Sequence, residues 1–354
     1  MMKKGLYIIL TDFDEKNTNS GPTVRSLAIL EELKKLNNVD VIYGQNSKER
    51  LDRFRSLCSK NVAYDYCYIE SKVGVTRFFD TYLLMLLKMK LKNTKIGFYY
   101  RDMYWKYGIQ VSKGKIKNKF VPLVNKMYLK FIDIVTDVVY CQSESFGDSL
   151  KQEIKRSEIE LLPPGCEAIT PVNILNNEVI YVGEIDLHFS GVDLLIDSLE
   201  LVNKDHKVKL NIVCRKKEYE ESEYLKEANQ KYEWLNVSHH NKQTIEEVYN
   251  KSAIAIIPRS GNEYTKLCLP IKLYEYITFE KPIVAVNHGE TGRFIQEYKV
   301  GVACTERKDD IANGIISLLM EETCFMQAKN RVKMCKEENL WSQRAKKIIT
   351  SLTL

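Results

Sequence analysis

The sequence predicts an α/β protein made of two parallel-sheet halves, and three observations carry that expectation. The chain opens as strand, loop, helix, strand: Leu6–Leu10 is apolar and rich in β-formers, Val24–Leu33 has apolar positions at helical spacing, and Val39–Tyr43 is a second strand. The same alternation restarts after Pro163-Pro164-Gly165, a sequence that breaks regular structure. The length of 354 residues suits two domains at roughly 100–200 residues each.

In the first half, Lys95–Tyr100 and Val135–Cys141 read as later strands, and Ile159–Leu162 closes the half. The loop-like stretch with Pro171 and three asparagines predicts a linker over 166–177. In the second half, strands are expected at Val179–Val182, Val208–Cys214, Leu235–Val237, Ile254–Pro258 and Pro282–Val286. Helices are expected at Gly191–Val202, Thr244–Asn250, Leu273–Thr278 and Asp309–Met320, and an amphipathic one at Trp341–Leu354. The domain boundaries expected from this pattern are 1–165 and 178–340, with 341–354 as a closing helix.

Composition excludes several classes. A hydrophobic fraction of 44% and a charged fraction of 28% are those of a globular chain, neither disordered nor collagen-like. No run of about 18 apolar residues predicts a transmembrane helix. The apolar core at Leu6–Leu10 meets Thr11, Asp12 and Asp14 too soon for an export signal, so it reads as a strand. The nine cysteines are scattered without CxxC spacing, which points to reduced thiols and a cytoplasmic chain. The only adjacent histidines, His239-His240, lack ligand spacing, and no metal site is expected.

Charge is uneven. Residues 1–165 hold 28 Lys and Arg against 19 Asp and Glu, whereas 166–354 hold 25 against 28. From Arg77 to Lys130 there are thirteen basic residues and two acidic ones, Asp80 and Asp102. Such a stretch seeks phosphate: lipid headgroups, a lipid diphosphate or nucleic acid. No nucleic-acid recognition motif accompanies it, and leucines, methionines and aromatics lie between the lysines. An anionic bilayer surface contacted through 77–130 is therefore the expected partner.

The most specific block is Leu269–Ala285, LPIKLYEYITFEKPIVA. A helix starting at Pro270 offers unpaired N–H groups and a positive dipole end to a diphosphate. Lys272 lies in its first turn and adds a charge to the same anion, and Glu275 lies one turn on, with a carboxylate that can accept hydrogen bonds from hydroxyls. This block resembles the nucleotide-binding block of GT-B glycosyltransferases, particularly family 4. Tyr181-Val182-Gly183 with Gly191–Ile196 resembles the first strand and helix of that family's C-terminal domain, and Trp341-Ser342 its closing helix.

The resemblance implies two Rossmann-like domains facing each other across a cleft, with the last helix crossing back to the N-domain. It implies a nucleotide-sugar donor, UDP-linked for preference, and a saccharide or lipid-linked saccharide acceptor, in assembly of a bacterial surface polysaccharide such as a capsule. It places Pro270, Lys272, Leu273 and Glu275 on the nucleotide-sugar, and no metal or further cofactor is expected.

The chain departs from the family pattern in three places. Leu267 stands where a donor-contacting glutamate is usual, Glu184 where an arginine is, and Ser190 where a lysine is. Arg215 and Arg259 directly follow predicted strands and are the candidate replacement cations, since ligands of open α/β sheets bind at those carboxyl ends. In the first half, Gly21, before a helix in Ser20-Gly21-Pro22-Thr23, lets backbone N–H groups approach a phosphate or acceptor. Arg25 follows in the first turn, facing the cleft or exposed. Arg101-Asp102, after a strand and among aromatics, is the second candidate cluster. Asp102 is a general base if the reaction inverts, or orients the acceptor if it retains configuration. With Lys272, Arg101 and Asp102 complete the expected catalytic set. The altered donor positions leave a second reading, a catalytically silent GT-B protein that binds a partner glycosyltransferase or a glycan.

Overall fold

The computed structural model describes residues 2–12, 21–59, 62–109, 115–172, 176–185, 190–241, 243–259 and 261–354, with the backbone alone for 21–22 and 115–119. The chain divides into two compact units: unit 1 is 1–165 together with 341–354, and unit 2 is 166–340.

Unit 1 runs β1 (Lys4–Ile9), α1 (Gly21–Leu36), β2 (Asn38–Ile42), α2 (Ser47–Cys58), β3 (Tyr66–Glu70), α3 (Phe78–Lys90), β4 (Lys95–Tyr99), α4 (Lys115–Val135), β5 (Val138–Cys141), α5 (Glu144–Leu150) and β6 (Glu158–Leu161). Among the described residues its parallel sheet has the order β2-β1-β3-β4-β5-β6. The order reverses between β1 and β3, the topological switch point where open sheets of this kind bind ligands. A face of tyrosines (Tyr7, Tyr66, Tyr68, Tyr99, Tyr140) packs under α1 and under the last helix of the chain, Trp341–Thr353. That helix buries Trp341, Ala345, Ile348 and Leu352, the spacing of one helical face. Between α2 and α3, Arg50 and Asp80, both fully buried, form a bidentate pair at 2.8 Å per contact.

Unit 2 runs β7 (Glu178–Val182), α6 (Val192–Val202), β8 (Lys209–Val213), α7 (Lys216–Glu221), α8 (Glu223–Lys231), β9 (Leu235–Ser238), α9 (Ile245–Lys251), β10 (Ile254–Ile257), α10 (Ile271–Thr278), β11 (Ile283–Val286), α11 (Gly289–Tyr298), β12 (Gly301–Cys304), α12 (Lys308–Met320) and α13 (Glu322–Glu338). The closing helix of unit 1 is then α14 (Trp341–Thr353). The second sheet is also parallel, in the order β12-β11-β10-β7-β8-β9 among the described residues. That is the strand order of a Rossmann domain, with its switch point between β7 and β10. Apolar clusters cover both faces, as parallel sheets require.

The predicted strands fall on observed ones to within a residue or two, with one exception. Val135–Cys141 was expected as one strand; Val135 ends α4 and β5 starts at Val138. Thr136 and Asp137 make the corner, where the Thr136 hydroxyl donates back to the Ile132 carbonyl at 2.8 Å. The sequence reading also passed over β3, α2 and β12. The expected linker contains Cys166, which bridges to Leu340 inside unit 2, and its residues 173–175 lie outside the described residues.

Candidate functional site

Two groups of polar side chains lie at the carboxyl ends of the strands, one at each switch point. In unit 2 the group is centred on Lys272, in the first turn of α10 after the Pro270 cap. The Lys272 ammonium donates to the Tyr181 hydroxyl at 3.4 Å and sits 4.6 Å from the centre of that ring. Tyr181, the penultimate residue but one of the block ending in Gly183, donates in turn to the Glu184 carbonyl at 2.8 Å. A side chain at Gly183 would put its Cβ 2.4 Å from the Lys272 ammonium, so the bare backbone there leaves the cation its place. Burial pushes the Lys272 ammonium down to about 8; the neighbouring Arg259 charge adds to this, and Glu275, Glu184 and Glu218 oppose it. A cation desolvated in this way gains from any anion placed against it.

Tyr276, on the next turn of α10, ties the two strands of the switch point together. Its hydroxyl accepts the Val182 N–H at 3.0 Å and donates to the Ile256 carbonyl at 3.2 Å. The amino end of α6 closes against the same point. Gly191 caps it at φ 68°, and a Cβ there would lie 2.0 Å from the Pro258 carbonyl oxygen. Only glycine meets both the left-handed backbone and this approach.

Arg259 leaves the end of β10 beside a pocket lined by Ile257, Thr265, Val286, His288 and Thr291. The His288 ring lies within hydrogen-bond reach of the Thr265 hydroxyl and the Asn262 carbonyl, 3.3 Å each, which fixes the 262–265 turn over the pocket. Glu275 lies next to Tyr249 and, after burial, is the main influence raising that hydroxyl's pKa.

The predicted residues divide. Pro270, Lys272 and Glu275 come together on α10, with Arg259 close enough to depress Lys272. Leu273 requires a correction. Its side chain is fully buried in the core, and its N–H is taken by the Pro270 carbonyl at 3.0 Å, so it has nothing to offer a ligand. Arg215 caps α7, pairs with Glu218 of its own helix at 3.0 Å and is 78% exposed. Leu267, in the place of the expected glutamate, is buried.

In unit 1, Gly21 is the first residue of α1; the loop before it, including Ser20, lies outside the described residues. Arg101 and Asp102 follow β4, and each has its own partners. Arg101 donates to Glu70 at 2.9 Å and to the Ser71 carbonyl at 3.1 Å. Asp102 is buried and accepts the Gly74 N–H at 3.3 Å. Burial pushes its carboxyl up to about 6, against the lowering effects of the Gly74 N–H, Arg101 and the Tyr104 N–H. A carboxylate poised there is ionised at neutral pH and basic enough to take a proton.

The sequence reading missed Glu70 entirely. It is fully buried at the end of β3 and accepts from Arg25 (3.1 Å), Arg101 (2.9 Å) and the Tyr68 hydroxyl (2.7 Å). The available signal was an acid ending the otherwise apolar run Tyr66–Ile69. Arg25, expected as a cleft or surface cation, is buried beside it.

Residues 176–321, most of unit 2, match the family described as glycosyl transferases group 1. No curated protein matches the chain. Among solved structures, the chain is similar to the pneumococcal O-GlcNAc transferase GtfA in complex with UDP and GlcNAc, with a TM-score of 0.56 and 11% identity over 88% of this chain and 60% of that one. It is similar to a chain of the GtfA/B complex to the same extent, with a TM-score of 0.56 and 12% identity over 88% and 60% of the two chains. It thus spans about 60% of the length of these neighbours. The chain has the GT-B fold, and its second unit matches the glycosyl transferases group 1 model over 176–321.

Proposed function

We propose that the chain is a glycosyltransferase that moves a sugar from a nucleotide-sugar to a saccharide or lipid-linked saccharide in the assembly of a bacterial surface polysaccharide. The observation that carries this reading is Lys272: a desolvated cation at the amino end of α10, against the bare backbone of Gly183, within the stretch that matches the group 1 model. The α10 amino end and Lys272 receive the donor diphosphate, and their charge meets the negative charge that grows on it as the sugar leaves. Glu275 takes the ribose, and Arg259 with the pocket beside it faces the sugar. UDP is the first donor nucleotide to test, since the similar transferase GtfA was solved with UDP. Asp102 and Arg101 serve the acceptor side in unit 1.

A lipid-linked acceptor is supported by the outer face of α3 and α4. Phe78, Phe79, Met85 and Met89 on α3, and Phe120, Leu123, Val124 and Met127 on α4, are exposed among lysines. Apolar side chains framed by cations suit the surface of an anionic bilayer. No helix among the described residues is long and apolar enough to cross one.

One observation favours the silent-partner reading: Glu184 places a carboxylate near Lys272, where a diphosphate would go. The experiment that separates the two is release of free nucleotide from a panel of UDP-, GDP- and dTDP-sugars with a polyprenyl-linked saccharide present. Turnover with one donor supports the transferase; binding and turnover of none supports the silent partner.

A further inference from the structure

Unit 1 contains two buried arginines, and they are satisfied very differently. Arg50 uses its whole guanidinium: Nε and Nη2 reach Asp80 at 2.8 Å each, and Nη1 reaches the Gly44 carbonyl at 3.0 Å and Asp12 at 3.1 Å. That is a structural arginine. Arg25 is 3% exposed; its Nε donates to Glu70 at 3.1 Å, and the Tyr68 hydroxyl, itself bonded to Glu70, lies beside the guanidinium. Its Nη1 and Nη2 are buried without a geometrically sound hydrogen-bond partner among the described residues. The group is held in place from below by the Tyr99 ring, 3.7 Å from the guanidinium carbon. Buried donors on a charged group are among the costliest to leave unpaired, so a fold that only needed a cation there would use them as it does at Arg50.

The surroundings specify what the free fork is built to hold. Arg25 lies on α1 near its amino end, and helix side chains lean toward that end, where backbone N–H groups and the dipole favour an anion. Two more hydroxyls at the same switch point are buried without partners among the described residues: Ser71 Oγ, just past β3, and Thr11 Oγ1, just past β1. Glu70 is the carboxylate shared by Arg25 and Arg101, so the cluster carries two cations to one anion. A planar pair of N–H donors beside hydroxyl donors, with excess positive charge, matches the oxygens of a carboxylate or phosphate.

We propose that the switch point of unit 1 is an oxyanion site, in which Nη1 and Nη2 of Arg25, supported by Ser71, grip a carboxylate or phosphate carried by the saccharide acceptor. Glu70 is a positioning residue: it holds Arg25 by Nε and leaves the outer nitrogens free. Naming the acceptor as the carrier rests on the transferase reading; the oxyanion site itself does not.

The test follows the arginine side-chain resonances of the ¹⁵N-arginine-labelled full chain, with Arg25 assigned by comparison with Arg25→Lys. D-glucuronate, glucose 6-phosphate, inorganic phosphate and glucose are titrated separately, without donor. The expected result is that glucuronate or glucose 6-phosphate shifts the Arg25 signals and slows their exchange while glucose does not. Affinity should fall about tenfold or more in Arg25→Lys, which keeps the charge and loses the fork, and should also fall in Ser71→Ala. Arg25 signals that respond to no oxyanion in the wild-type chain overturn the site, with no variant needed. Inorganic phosphate binding as tightly as glucose 6-phosphate overturns the assignment to a saccharide acceptor. Because no donor or turnover is involved, an Arg25 response in a chain without transferase activity would sink the transferase reading alone, and the converse would sink this site alone.

Discussion

The two switch points solve the same problem with opposite means. In unit 2 the cation comes from one helix turn, and desolvation leaves it eager for a partner: Lys272 has its pKa depressed to about 8 and, among the described residues, donates to a tyrosine hydroxyl. In unit 1 the cations come from separate elements, α1 and the turn after β4, and are held by a shared buried carboxylate, Glu70. The difference teaches where stability and binding are coupled. Removing the unit 1 anchor should unfold the site, whereas removing the unit 2 cation should cost binding alone.

The largest expected effect follows from Glu70. Glu70→Gln leaves two guanidiniums facing each other without their buried counter-charge, and loss of one partner of a buried pair costs about 3–5 kcal/mol. Urea unfolding should show that loss; a loss below about 1 kcal/mol would make the network incidental. Asp102→Asn should act in the opposite direction. Its folded pKa lies above the unfolded one, so the native state binds more protons between about pH 4 and 6, and stability falls as pH rises through that window. Removing the ionisable group should therefore stabilise the chain at pH 7 by roughly 2–3 kcal/mol while lowering turnover. A stabilised variant with wild-type turnover would take Asp102 out of the acceptor site.

The unit 2 predictions are smaller and concern binding. Lys272→Met should lower UDP affinity about tenfold, or ~1.4 kcal/mol, with no loss of stability. The wild-type chain should show its own version of this with pH. A bound diphosphate raises the Lys272 pKa from about 8, so binding takes up a proton above that pH. UDP affinity should then fall about tenfold from pH 7 to pH 9, and calorimetry in buffers of different ionisation enthalpy should detect the proton. Smallest is Glu275→Ala, expected to weaken UDP binding about fivefold through lost ribose hydrogen bonds of ~1 kcal/mol.

The same contrast explains what could be read from the sequence. The unit 2 site was legible because its chemistry is contiguous: Pro270, Lys272 and Glu275 lie within one helix turn and a half, ahead of the Lys281-Pro282 corner into β11. The unit 1 site was not, because Arg25, Glu70 and Arg101 are far apart in the chain and meet only when β1, β3 and β4 are laid side by side. Arg101 and Asp102 were paired by adjacency, and in the fold the arginine turns to Glu70 instead. Leu273 was carried into the nucleotide site by its place in the block, although helical periodicity turns it to the core with Tyr276 and Ile277. Ten of the twelve strands were legible, since apolar strands alternating with amphipathic helices fix a parallel sheet, but β3, which carries Glu70, and β12 were passed over.

The most direct test of the central claim, that the β7–β10 switch point of unit 2 is a nucleotide site centred on Lys272, is a thermal-melting series with UDP and UDP-sugars on the wild-type chain and on Lys272→Met. A ligand at 100 times its Kd adds about 2.7 kcal/mol to the state that binds it. The prediction is a melting temperature that rises with UDP in the wild type and rises only about half as far in the variant at the same concentration, since a tenfold weaker site gains about 1.4 kcal/mol there. An equal rise in both chains, or no rise in the wild type with any nucleotide, would contradict it.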